Sequence, residues 1–199
     1  LFKTHYYGGI KKYQWVAIPL ALHGVIIKAD GTKVDVKIGE EEGEPKFVIS
    51  DILPHLGAEQ GKRTLSEGIT GEELNVIVGS LPFKNDKGSE LVKLNVLKLL
   101  NEKYGITEAD FLSSELTVVP ASKARDVGFD RSLIGSYGHD DRVCAYPILT
   151  AIVDTAGKND HTSVTIFADK EETGSETNTG MTSYAFEDML KEMCINAGQ

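Results

Sequence analysis

The run Val164-Thr165-Ile166-Phe167-Ala168 is apolar and β-branched, and a helical pattern stands on either side of it. Branching at Cβ favours the pleated strand, so 161–168 is predicted to be a buried strand. The helix before it runs from about Asp141 to Thr155 and stops at Gly157, with Pro147 inside as a source of a kink. The helix after it starts at Thr182 or Ser183. Its Phe186, Met189, Leu190 and Met193 fall at i, i+3, i+4 and i+7, a core-facing stripe. Helix, strand, helix is the grammar of an α/β layer, and that limits the tail to a small set of folds.

The front reads differently. Val25-Ile26-Ile27-Lys28 leads through Asp30-Gly31 into Val34-Asp35-Val36-Lys37-Ile38, which alternates with period two. Asp-Gly between two such runs is a hairpin signal. Short strands are also expected at 47–49, 74–79 and 116–120, and Ile52 to Leu56 resembles a short helical turn. Gly39 to Pro45 is read as a solvated acidic loop, and 57–72 as a long polar loop. Ser89 can open a helix that runs to about Tyr104 and is stopped by Gly105, with a wide apolar face read as well buried. The expectation is a β-rich domain over 1–115 and an α/β domain over 116–199.

Charge and composition exclude several classes of function. A net charge of −9 argues against nucleic acid, whose phosphates need clustered Lys and Arg, and against an anionic membrane surface. No apolar run approaches the roughly 20 residues that span a bilayer. Two cysteines, Cys144 and Cys194, are too few for a disulfide framework; both are read as small core residues, and a reducing cytoplasm fits them. The chain opens at Leu1 rather than Met and ends shortly after a helix, so it is expected to be a piece of a longer protein.

The strand predicted at 161–168 runs into Asp169, Lys170, Glu171 and Glu172, followed by Thr173-Gly174-Ser175. In open α/β sheets, sites form beyond the carboxyl ends of strands. Asp140 would occupy a second such position, just before a helix. Carboxylates that converge on a partly dry site repel one another and must take up protons or cations. A divalent cation resolves the repulsion, activates water and polarises a carbonyl. Adjacent residues leaving a strand point in different directions, so Glu171 and Glu172 divide two jobs: one a metal ligand, the other the base. Spacing alone leaves the order open. Exposed Glu-Glu pairs are also common in loops, and Asp140-Asp141-Arg142 could equally be a helix cap with an ion pair.

Two blocks bring in a family. Gly138-His139-Asp140-Asp141-Arg142-Val143-Cys144-Ala145 and Phe167-Ala168-Asp169-Lys170-Glu171-Glu172-Thr173-Gly174-Ser175 resemble the L-D-N/D-R and D-x-E-E-x-G-S signatures of the aspartyl aminopeptidase (aminopeptidase I) family of dinuclear zinc peptidases. Tyr6-Tyr7-Gly8-Gly9, Trp15 and Pro19 to Gly24 look like a degraded Y-G-G-G-x-W…D-L-x-L-A-G stretch of that family, and Leu53-Pro54-His55-Leu56 is similar to its I-P-H-L. The resemblance implies that Asp140 bridges two zinc ions, Glu172 is a ligand to one of them, and Glu171 is the general base. It implies a zinc-exopeptidase α/β sandwich interrupted by a β-rich dimerisation domain, which would be residues 1–115. The implied reaction removes N-terminal residues from peptides, acidic residues being one candidate class, by attack of a metal-bridged hydroxide. Zn²⁺ is the implied metal, with Co²⁺ or Mn²⁺ able to use the same kind of O/N site. The implied assembly is a dimer that builds a dodecamer.

The departures are specific. The family's H-x-D histidine, later aspartate and final histidine have no match here and are expected outside 1–199. Glu59 stands where some members carry a histidine that reaches a neighbouring subunit's site, and Val16-Ala17-Ile18-Pro19 replaces an aromatic-acidic run. His5, His23 and His161 are read as structural or exposed, His139 as a neighbour of the bridging position, and His55 as structural. The alternatives are a non-catalytic assembly module, whose β-rich half is the working part, and a related tetrahedral aminopeptidase with another N-terminal preference.

Overall fold

The computed structural model describes residues 1–84, 87–169, 172, 176 and 180–198. The strands are β1 (Leu20–Ile27), β2 (Lys33–Ile38), β3 (Val48–Ile49), β4 (Val76–Ile77), β5 (Ser114–Pro120), β6 (Arg125–Val127) and β7 (Leu133–Gly135). The helices are α1 (Leu91–Tyr104), α2 (His139–Thr155) and α3 (Tyr184–Asn196), with short 3-10 turns between elements. Helices and strands mix as an α/β chain should.

The Asp30-Gly31 hairpin forms as its turn chemistry dictates. Lys28 N–H donates to the Thr32 carbonyl at 2.9 Å, and the Asp30 carboxylate accepts the Thr32 N–H at 2.9 Å. The turn fixes the register of β1 against β2, with Leu22 opposite Ile38 and Ile26 opposite Val34. β1 also pairs antiparallel with β5, Leu22 opposite Val118, so it is the middle strand of a three-stranded sheet ordered β2-β1-β5. Period two then puts Leu22, Ile26, Val36 and Ile38 into one cluster with Ile106. Leu100 and Tyr104 of α1, Phe2 and Phe111 pack against that cluster.

The chain divides into two compact units, one of Leu1–Tyr6 and Lys11–Tyr137, the other of Tyr7–Ile10 and Gly138–Gln199. The sequence reading drew its boundary at 115/116. The compact units divide after Tyr137 because β5 is hydrogen-bonded along β1 and belongs to the front sheet. The hairpin β6–β7 follows it there, Asp126 opposite Ile134.

Several expectations need correction. Among the described residues, 161–168 joins no sheet and is not buried: Phe167 is 52% exposed. A β-branched run prefers extended backbone, but a strand also needs a neighbour to complete its ladder. Cys144 and Cys194 are exposed rather than core residues. α1 has no fully buried residue, since only part of its apolar face meets the sheet. The acidic loop is a clasp. The Glu44 carboxylate accepts the N–H groups of Gly39 (2.8 Å) and Glu41 (3.3 Å), while the Lys46 ammonium donates to the carbonyls of Gly39 and Glu41.

Candidate metal centre

Asp140 stands at the entrance of α2. Its backbone is non-helical (φ −82°, ψ 110°), and the peptide bond to Asp141 is cis. The continuous helical turns therefore begin at Asp141, where the sequence places them. Gly138, at φ 82°, turns the chain into this entrance, and Arg142 folds back to donate to the Gly138 carbonyl at 3.2 Å. Pro147 lies within α2 without ending it.

Glu172 belongs to the same compact unit as Asp140, together with the short segment Tyr7–Ile10. Its Oε2 accepts the backbone N–H of Gly9 at 2.5 Å, a contact between residues 163 positions apart. The carboxylate lies directly over Gly8, whose missing Cβ would come 2.0 Å from Oε2 and 2.8 Å from Cδ. Glu171, expected to be the base, lies outside the described residues. Sequence reasoning missed the Gly8-Gly9 contact. The glycine doublet itself was the available signal, since glycine pairs mark close backbone approach.

The remaining candidates have the following local surroundings. His23 sits on β1 with Nε2 2.9 Å from the Glu40 carboxylate, and His5 stacks on Tyr6 at 5.7 Å between ring centroids. His55 and His161 are exposed, and Glu59 pairs with Lys62 at 2.5 Å. His139 is the first residue of α2.

Among the described residues no three His, Cys, Asp or Glu side chains gather into a metal site. Asp140 and Glu172 each carry the carboxylate oxygens that zinc takes as ligands. Zinc accepts Asp and Glu oxygens at about 2.0–2.2 Å. The Gly9 N–H engages one oxygen of Glu172, Oε2, and the other oxygen is not part of that bond.

The family profile described as aminopeptidase I zinc metalloprotease (M18) matches residues 1–199. The chain belongs to that family. A probable M18 family aminopeptidase 1 of Clostridium acetobutylicum is 52% identical over 198 residues, covering 100% of this chain and 42% of the relative. The crystal structure of an M18 aminopeptidase from Thermotoga maritima superposes with a TM-score of 0.85 at 48% identity, over 98% of this chain and 42% of that one. A more distant fold relative, described as the S. cerevisiae mApe1 dodecamer, has a TM-score of 0.57 at 19% identity, over 93% and 40%. The chain thus spans about two fifths of the length of these M18 relatives. The family is described as one of zinc metalloprotease aminopeptidases, and the relatives are named as aminopeptidases.

Proposed function

We propose that the protein containing this chain is a dinuclear zinc aminopeptidase that removes N-terminal residues from peptides. One observation carries the reading: the M18 match runs from residue 1 to 199 and so takes in both signature blocks, with Asp140 and Glu172. In this proposal the Asp140 and Glu172 carboxylates would be among the residues that hold the zinc. The bound metal supplies an acidified water and a polarised carbonyl. Glu171 takes the proton released at the attacking oxygen and returns it to the leaving amine, the usual task of a carboxylate base. The dodecamer described for the fold relative supports a homo-oligomeric assembly, and residues 1–115 are the stretch we assign to its contacts. No helix among the described residues is long and apolar enough to cross a membrane, and the net charge of −9 disfavours nucleic acid as a partner.

The test is made in the full-length protein. Glu171→Gln should retain zinc and lose about 10²–10⁴-fold in turnover of aminoacyl nitroanilides, the range general acid–base catalysis supplies. Asp140→Asn and Glu172→Gln should lose zinc as well as activity, by metal analysis after dialysis. Parent-like turnover in Glu171→Gln contradicts the assignment of the base. Residues 1–199 alone should show no hydrolysis with added Zn²⁺, because only two ligands of the set are present; measured turnover there would contradict the proposed division of the ligand set.

A further inference from the structure

We infer that the Gly8-Gly9 turn is a positioning device for the Glu172 carboxylate, one that sets zinc affinity without touching the metal. The inference rests on the proposed role of Glu172 as a ligand and gives Gly8 and Gly9 a role that the resemblance does not imply.

Three observations converge. The Gly9 backbone N–H donates to Glu172 Oε2 at 2.5 Å, across 163 residues of sequence. A charge-assisted bond from a backbone amide fixes a carboxylate more firmly than a mobile side-chain donor would, since the amide has no rotamer freedom to lose. Gly8 takes a left-handed backbone (φ 64°), and its hydrogen atom faces the same carboxylate: an added Cβ would lie 2.0 Å from Oε2, 2.8 Å from Cδ and 3.4 Å from Cβ of Glu172. The Gly9 position is looser, its added Cβ lying 3.8 Å from Oε2. Finally, Tyr7–Ile10 is separated from its sequence neighbours on both sides and counted with Gly138–Gln199. This four-residue segment, in the same compact unit as Glu172, carries both contacts to the carboxylate of a candidate ligand.

The contact at Gly8 involves the far end of a flexible side chain rather than backbone. A Cβ at position 8 requires the Glu172 carboxylate to move off the Gly9 N–H, and the left-handed backbone (φ 64°) adds a strain of its own. Hydrogen bonds that orient metal ligands have a known worth: losing one lowers metal affinity 10–100-fold.

The experiment measures zinc affinity of the full-length protein by competition with a chromophoric chelator, and the d–d spectrum of the cobalt-loaded form. Gly8→Ala should weaken zinc about 10–100-fold and shift the cobalt bands, while the metal-free protein keeps its thermal midpoint within a few degrees. Glu172→Asp withdraws the carboxylate by one methylene, so its loss and that of Gly8→Ala should be strongly non-additive in the double variant. Parent-like affinity and spectrum in Gly8→Ala overturn the inference, and so does simple additivity. If Gly8→Ala does not fold, amide exchange at Gly9 decides. Protection present in the parent and lost in Glu172→Ala supports the contact; equal exchange in both overturns it. Glu172→Gln separates the two levels. Unchanged zinc binding in that variant refutes the ligand assignment, whereas zinc lost in Glu172→Gln but kept in Gly8→Ala refutes only the positioning role.

Discussion

The two compact units both carry amphipathic elements but differ in core. In the front unit, Leu20, Leu22, Ile26, Val36, Ile38 and Ile106 are buried by a sheet whose register their own alternation sets. In the second unit the stripes of α2 and α3 are legible as faces, yet no described residue there is buried, and Val153 is 63% exposed. The difference teaches what periodicity means. A repeat of 3.6 or 2 identifies the side of an element that wants cover. It does not say whether the covering layer lies in the same stretch of chain. The most direct way to break the comparison is a matched pair of truncations in the 199-residue chain. Ile26→Ala removes a wholly buried side chain and should cost about 2–5 kcal/mol in urea unfolding. Val153→Ala should stay within about 0.5 kcal/mol, as exposed positions do. Equal costs would mean the second unit has a core of its own. Repeating Val153→Ala in the full-length protein sharpens the point, because a cost that rises to a few kcal/mol there marks this face as buried by residues outside 1–199.

The helices offer the next contrast. α1 runs from Leu91 to Tyr104 without a breaker and leans on the front cluster through Leu100 and Tyr104. α2 contains Pro147, so the carbonyl of Val143 loses its i+4 donor, and no buried contact compensates. Pro147→Ala should therefore strengthen α2 locally, by about 1–3 kcal/mol, read as slower amide exchange across 143–151. The urea midpoint reported by the front unit should not move. A midpoint that rises in step with the local gain would show the two units unfolding as one, contrary to the comparison.

What the sequence alone disclosed follows the same division between local and distant causes. The hairpin at Asp30-Gly31, the end of α1 at Gly105 and the helical entrance at Asp140 were all legible, because each is decided by residues within one turn of it. The run at 161–168 was misread as a buried strand because its β-branched side chains report backbone preference, while pairing depends on a neighbour no propensity can supply. The β6–β7 hairpin was missed for the opposite reason. Its strands, Arg125–Val127 and Leu133–Gly135, have three residues each, too few to show a period. At the candidate centre, Asp140 and Glu172 could be picked out as acidic residues beside helix and strand signals. The seating of Glu172 on Gly9 could not, because nothing in either local segment refers to the other. Family resemblance supplied the roles; only coordinates supplied the contact.

The smallest effect lies in the acidic loop, where charge counting and geometry disagree. Gly39 to Pro45 has the composition of a solvated tether, yet Glu44 holds it closed. The Gly39 N–H above all, then the Glu41 N–H and the Lys103 ammonium, lower the Glu44 pKa from 4.5 to about 2. A carboxyl depressed on folding contributes stability that is fully present above its unfolded pKa and is lost as pH falls through its folded one. For Glu44 that window lies between about pH 4.5 and pH 2. Glu44→Gln should thus lower the urea midpoint at pH 7, and the gap to the parent should close as pH falls through the window. The gap should be modest, because the carboxylate is solvent-screened. Asp30, Glu40, Glu73, Asp110 and Asp130, also held below their usual range by hydrogen bonds, keep the parent and the variant both acid-sensitive. All of them are in the front unit. The difference between the two midpoints, rather than either midpoint, therefore isolates Glu44. A difference constant from pH 7 to pH 2 would mean that the clasp works by shape alone and that its charge is incidental.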